Sequence, residues 1–172
     1  MRLESARNLF ALTYFASVVS VVGSLGDLPE RVASSFGGGG AAQAFMTRTM
    51  YGALFTSFSA IVPLGLVAAF VWLPRRFSGF VNVPMREAWL APEFRVELFR
   101  RLGLAGYLTG GSAALFFAAM HALLVEANAH VPPRLAQAPF VAVLLAFLAC
   151  TIGTALGLSL ALRKLPVRSS RE

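Results

Sequence analysis

The run LGLAGYLTGGSAALFFAAMHALLV, residues 102–125, contains no lysine, arginine, aspartate or glutamate. It is longer than the roughly 20 apolar residues that carry an α-helix across a bilayer. Three further runs share this character, and they cover residues 9–26, 52–73 and 140–162. The sequence therefore predicts an all-α, polytopic membrane protein whose four transmembrane helices form one bundle in a single domain, residues 1–172.

The composition favours the same class. Of the 172 residues, 57% are hydrophobic and 13% are charged, whereas soluble domains typically hold about 45–50% apolar and about 25% charged residues. The single cysteine, Cys150, excludes an intrachain disulfide and Cys-based metal or haem motifs. We interpret it as a small apolar side chain in a helix interface.

The first run has a second interpretation, a cleaved signal peptide. Arg2 and Arg7 would form its basic start, and small residues follow at Gly23–Gly26. No Ala-x-Ala pattern comes directly after them, so we expect the first span to be retained.

Basic residues are distributed unevenly between the segments that join the spans. The N-terminus, the 74–101 segment and the 163–172 tail carry twelve arginines and lysines, whereas the 27–51 and 126–139 loops carry three. The positive-inside rule therefore places both termini and the 74–101 loop in the cytoplasm and the other two loops outside. The net charge of +7 is therefore explained by basic residues on the cytoplasmic side of the membrane. The expected partner is the lipid bilayer and not a nucleic acid.

The 74–101 loop ends in an amphipathic pattern. Pro92 suits the first turn of a helix, and Phe94, Leu98 and Leu102 recur at intervals of four. We predict a cytoplasmic amphipathic helix that lies on the membrane surface and leads into the third span. Trp89 would mark the depth of the lipid headgroups.

Small residues recur at helical spacing in two of the predicted spans. They are Gly106, Gly110 and Ala114 in the third, and Ala149, Gly153, Gly157 and Ala161 in the fourth. Such spacing lets helices approach closely in lipid. Packing within one bundle is the preferred interpretation, and a homo-oligomer seam is the alternative.

The first outer loop contains a glycine run, Gly37–Gly40. A phosphate-binding loop would require a lysine after the glycines, and none follows. We therefore expect a mobile connection.

His121 is the candidate functional residue of the membrane region, because an ionisable side chain inside a span favours function. At 100° per residue, His121, Tyr107 and Asn128 fall within about 40° of one line on the third helix. On the first span a stripe of hydroxyls faces one side; it consists of Thr13, Ser17, Ser20 and Ser24. The candidate polar site therefore comprises His121, Asn128, Tyr107, Ser17 and Ser20.

Two interpretations of His121 remain open. It is either a proton relay or ligand contact, or a neutral histidine hydrogen-bonded to a hydroxyl of the first span. Glu126 lies on another face of the helix, and His130 lies in the outer loop. Two histidines without further ligands are too few for a metal site. No nucleophile motif, carboxylate pair or phosphate loop is present, so we expect neither catalysis nor a cofactor.

The segment VNVPMREAWLAPE, residues 81–93, resembles a motif of small four-helix bacterial inner-membrane proteins of unknown function. Those proteins share an outer-loop domain with SdpI-type immunity proteins. The motif residues here are Asn82, Pro84, Trp89, Pro92 and Glu93.

The outer loop resembles the same family over Leu28, Pro29, Phe36 and Gly37, and residues 121–128, HALLVEAN, resemble its third span. Ser35 stands where the family commonly has histidine. The resemblance covers roughly residues 8–130. It implies a bacterial inner-membrane location and no established reaction. Immunity against a secreted toxin, and the signalling linked to it, belongs to the longer SdpI relatives.

Two functional hypotheses follow. One is a self-standing, non-catalytic membrane protein of envelope stress or toxin protection, which acts through its outer loop or the His121 face. The other is a small accessory subunit of a larger membrane complex, in which the apolar faces and the inner segment contact other subunits. A small transporter or channel ranks behind both.

Overall fold

The computed structural model describes residues 2–165, except for the side chain of Phe80. The part of the predicted tail from residue 166 onward lies outside the described residues. The helices are α1 Leu3–Gly23, α2 Arg48–Val67, α3 Leu73–Arg76, α4 Arg86–Leu90, α5 Pro92–Ala129 and α6 Gln137–Leu162. The strands are β1 Arg31–Phe36 and β2 Ala42–Thr47.

Four helical segments are long and apolar enough to cross a membrane: Leu3–Asp27, Arg48–Arg76, Pro92–Ala129 and Gln137–Leu162. The prediction of four membrane-length apolar helices is confirmed by their length and composition. The central helix is α5, and α1, α2 and α6 all pack against it. We call the end of the helices that carries β1 and β2 the hairpin end and the opposite end the basic end.

Glycines of α5 allow its close contact with α2. A methyl group at Gly106 would lie 2.6 Å from Cβ of Phe70, and one at Gly110 would lie 2.7 Å from Cγ2 of Val67. Neither distance leaves room for a side chain, so packing here requires glycine. The small residues of the third span therefore serve packing within the chain.

The small residues of α6 are arranged differently. Nothing lies within 4 Å of a Cβ built on Gly153 or Gly157, and Leu162 is the buried residue of this helix. The expectation that the glycines of the fourth span close against other helices of the bundle is therefore wrong for the described part of the chain. The α6 glycines lie on an open face.

The second span begins at a capped turn and continues through its proline. Oγ1 of Thr47 accepts a hydrogen bond from the N–H of Met50 at 3.2 Å, which satisfies one of the free donors at the helix start. Pro63 is fully buried inside α2 and does not end it. A π-helical turn, Ala68–Trp72, then joins α2 to α3.

The described chain is mostly helical, as the all-α class predicts, but the first outer loop forms a small antiparallel β-hairpin. The expectation of a mobile connection there is wrong. Arg31 pairs with Thr47 at one end of the ladder, and Phe36 pairs with Ala42 at the other. Gly40 has a φ of 77°, a conformation that favours glycine. Its N–H donates to the carbonyl of Gly37 at 2.8 Å. The glycine run is thus the hydrogen-bonded turn of the hairpin.

The basic end also differs from the expectation. Residues 92–101 are the first turns of the continuous helix α5 and do not form a separate helix. Trp89 is fully buried, and its Nε1 donates to the carbonyl of Leu162 at 3.0 Å. It packs with Leu98 and Leu102 in one hydrophobic cluster. The predicted lipid-facing stripe therefore packs against protein, because the α4 segment folds back over it.

Candidate functional site

His121 joins three helices at their hairpin ends. Its Nδ1 lies 2.9 Å from the hydroxyl of Tyr51 on α2, and its Nε2 lies 2.9 Å from the hydroxyl of Ser24 at the end of α1. Only 1% of its surface is exposed. We call Ser24, Tyr51 and His121 the histidine clasp.

The hydrogen atoms of the clasp can be assigned from its bonds. The hydroxyl of Ser24 donates to the carbonyl of Ser20 at 2.7 Å. Since a hydroxyl has one proton, the Ser24 oxygen must accept from Nε2–H of His121. In the neutral imidazole, Nδ1 of His121 then accepts from the hydroxyl of Tyr51. These bonds are satisfied by a neutral imidazole whose two nitrogens both have protein partners.

Aromatic rings cover the faces of the imidazole. The ring centroid of Tyr51 lies 5.8 Å from that of His121 at an interplanar angle of 22°, and the centroid of Phe55 lies 5.3 Å away. Phe117 in turn packs edge-on against Phe55. A substrate would have to displace this packing to reach the histidine. The arrangement links α1, α2 and α5 through one buried side chain.

Asn128 attaches the hairpin to the end of α5. Its Oδ1 accepts from the N–H of Ala33 at 2.7 Å, and its Nδ2 donates to the carbonyl of Ala33 at 3.1 Å. Nδ2 also donates to the carbonyl of Leu124 at 2.8 Å. The side-chain amide thus pairs with β1 as a neighbouring strand would. All of these groups are buried, where an unpaired amide is costly.

Further bonds hold the hairpin from its other sides. The N–H of Leu135 donates to the carbonyl of Gly40 at 2.8 Å, and the side chain of Gln137 donates to the carbonyl of Gly38. Nη1 of Arg48 donates to the carbonyl of Leu28 at 3.0 Å. The hairpin is therefore tied to the end of α5, to the α5–α6 loop and to the start of α6, and the segment just before β1 is tied to the start of α2.

The structure separates the residues that the sequence predicts as one polar site. Tyr107 packs against Phe10, with ring centroids 5.9 Å apart, in the basic half of the bundle. Ser17 is buried on α1 and Ser20 is exposed, and the nitrogens of His121 bond to neither. Asn128 bonds to the backbone of Ala33 in the hairpin and not to His121. The predicted contact of His121 with a hydroxyl of the first span exists, but through Ser24.

The residues of the two segments that carry the sequence resemblance are partly buried. In the inner motif, Trp89 is buried, and the other four are exposed; these are Asn82, Pro84, Pro92 and Glu93. In the outer motif, Leu28 is buried, Phe36 packs against the same cluster, and Pro29 is exposed. Gly37 begins the hairpin turn, where its N–H donates to the carbonyl of Ala41 at 2.9 Å.

Two components of this region do not follow from the sequence pattern. Tyr51 stands at the start of an apolar run, where an aromatic residue is typical of a membrane interface. The backbone of Ala33 is 95 residues away from Asn128 along the chain. Tyr51 directly precedes the predicted second span, and His121 lies near the outer end of the third, so their similar depth is a signal that could pair them. No sequence signal identifies Ala33.

Within residues 2–165, no group of three or more histidine, cysteine, aspartate or glutamate side chains is placed to hold a metal ion. Glu126 and His130 are exposed and lie outside the clasp. No protein-family model, curated protein or solved structure matches the chain significantly. A function is therefore inferred from the geometry of the chain itself.

Proposed function

We propose that this chain is a multi-pass protein of the bacterial inner membrane that performs no catalysis and recognises an extracytoplasmic molecule through its hairpin. The observation that carries the proposal is the attachment of the hairpin by Asn128. A hairpin alone is marginally stable in water. Here a buried side-chain amide and the helix ends below it hold the hairpin in one position.

The charge distribution supports an extracytoplasmic hairpin. The helix ends opposite the hairpin carry the basic residues Arg75, Arg76, Arg100, Arg101 and Lys164, among others. By the positive-inside rule that end is cytoplasmic, together with both termini. The hairpin then lies on the extracytoplasmic side.

The buried and fully paired histidine clasp supports a binding function and not acid–base catalysis by His121. His121 has both nitrogens paired and its ring faces covered. A general acid or base must reach a reactant, directly or through one water. The histidine contributes to the proposed function by fixing the helices that carry the hairpin.

The hairpin presents one exposed pair suited to contact a partner. Phe45 is 46% exposed, and the guanidinium carbon of Arg31 lies 5.9 Å from its ring centroid. Aromatic and arginine side chains carry much of the binding energy in protein interfaces. The resemblance to SdpI relatives suggests a secreted peptide toxin as the partner, and protection as the outcome.

The test is complementation of a strain that lacks this protein, challenged with secreted peptide toxins or envelope stress. We expect the double variant Arg31→Ala, Phe45→Ala to lose protection while it accumulates to the wild-type level. Glu126→Ala, an exposed change outside the hairpin, is the control and should protect fully. Full protection by the hairpin double variant would refute the proposal.

The open face of α6 favours a second candidate, an accessory subunit of a larger membrane complex. This helix packs mainly on α5, and Leu162 is its buried residue. Release in mild detergent at native expression level, followed by identification of the subunits in the particle, separates the candidates. A particle of this chain alone supports the first, and stoichiometric migration with larger proteins supports the second.

A further inference from the structure

A groove runs between α5 and α6 on the basic half of the molecule. Its volume is about 870 Å³, which lies in the roughly 300–1,000 Å³ range of small-molecule sites. Leu104 and Leu108 of α5 line it from one side, and Gly153 and Gly157 of α6 line it from the other. Because a Cβ added at either glycine would meet nothing within 4 Å, the groove is open along α6.

Three basic side chains, Arg100, Arg101 and Lys164, line the same groove at the end where the apolar wall stops. Both arginines bond to the carboxylate of Glu97, at 2.6 Å and 2.7 Å. Within the described part of the chain, no acidic side chain lies within ion-pair distance of Lys164. The mouth of the groove therefore holds three cations against one carboxylate.

Further contacts hold Arg101 at the mouth. It donates to the carbonyl of Ala161, and its guanidinium carbon lies 4.9 Å from the ring of the buried Trp89. This contact is a cation–π interaction of ordinary geometry. Positive charge is thus fixed beside the groove, and Lys164 adds a charge that no carboxylate among residues 2–165 neutralises.

From this combination we propose that the groove binds one anionic phospholipid, with the phosphate at Lys164 and the arginines and an acyl chain along Gly153 and Gly157. Basic pockets between transmembrane helices bind anionic headgroups, and the cations here stand at the level where the apolar wall ends. A helix from a partner subunit would need an acidic side chain at that depth to match the charge. The lipid supplies the charge and the apolar chain together. Lipid binding at this groove is independent of what the hairpin recognises.

The experiment is native mass spectrometry of the purified full-length protein with added phosphatidylglycerol or phosphatidylcholine. We expect one tightly held phosphatidylglycerol per chain and a preference over phosphatidylcholine of about tenfold or more, since each basic residue contributes about 1 kcal/mol toward an anionic lipid. Lys164→Gln should weaken phosphatidylglycerol binding about fivefold. Gly157→Leu should abolish it by filling the groove.

Arg95→Gln is the matched control, because it removes a positive charge from the basic end but does not line the groove. It should bind phosphatidylglycerol as the wild type does. Equal binding of the two lipids, or binding unchanged in both Lys164→Gln and Gly157→Leu, would overturn the proposal. A protein subunit that purifies in a fixed ratio and excludes phosphatidylglycerol from the groove would also overturn it.

Discussion

At the scale of single residues, the contacts of His121 distinguish a functional hypothesis from a structural one. Its position inside a span suggests a relay or a ligand contact. Its contacts, Tyr51 on one nitrogen and Ser24 on the other, use all of its hydrogen-bonding capacity. We therefore infer a stabilising role for this residue.

Replacing His121 by alanine should destabilise the protein. The change removes two interhelical hydrogen bonds and leaves the hydroxyls of Tyr51 and Ser24 without it as a partner. Hydrogen bonds between membrane helices contribute about 0.6–2 kcal/mol each, so the free energy of unfolding should fall by roughly 1–3 kcal/mol. Thermal unfolding in detergent measures the effect.

His130→Ala is the control for this prediction, because His130 is exposed in the α5–α6 loop. Its unfolding temperature should match that of the wild type. If His121→Ala unfolds at the wild-type temperature yet loses protection in cells, the inferred stabilising role is wrong. The histidine then takes part directly in the protective function.

At the scale of elements, the hairpin is the feature that depends on a distant side chain. The ladder between β1 and β2 supplies its own backbone bonds. At the other edge of β1, the amide of Asn128 bonds the N–H and the carbonyl of Ala33. Such an edge is otherwise open to unwanted pairing. Asn128 therefore both satisfies the strand and positions it.

Asn128→Ala should loosen the hairpin without unfolding the helices. Loss of the amide leaves the N–H of Ala33 without its partner, and local opening then costs less free energy. Hydrogen exchange should become faster over residues 31–47, while protection of residues 102–121 in α5 stays unchanged. The exposed neighbour change Glu126→Ala serves as the control. Unchanged exchange over residues 31–47 in Asn128→Ala would show that this amide does not hold the hairpin.

The sequence predicts these elements unequally. The four apolar runs predict the four membrane-length helices, because an uncharged apolar run of about 20 residues matches the thickness of a bilayer. The hairpin is not predicted, because a glycine run such as Gly37–Gly40 indicates flexibility, although glycine also supplies the positive φ of tight turns. The burial of Trp89 is not predicted either, because an aromatic residue beside a span is typical of the lipid interface.

At the scale of the whole molecule, a basic end and a hairpin end stand at opposite ends of one helical unit. Each end is held together by contacts between residues far apart in sequence. Asn128 bonds to Ala33 at the hairpin end, and Trp89 bonds to Leu162 at the basic end. Helical periodicity relates residues on one helix and carries no information about such pairs. Of the candidate site, the sequence therefore predicts only that His121 contacts the hydroxyl stripe of the first span. The residue that makes this contact is Ser24, and not Ser17 or Ser20.

Extracytoplasmic recognition depends most directly on which side of the membrane holds the hairpin. In a Cys150→Ser background, Val131→Cys reports the hairpin end, since Val131 is 98% exposed, and Ser78→Cys reports the basic end, where Ser78 is exposed. The measurement is reaction with a membrane-impermeant maleimide in sealed right-side-out vesicles. We predict that Val131→Cys reacts at once and that Ser78→Cys reacts only after the vesicles are opened. The reverse pattern would place the hairpin in the cytoplasm and contradict extracytoplasmic recognition.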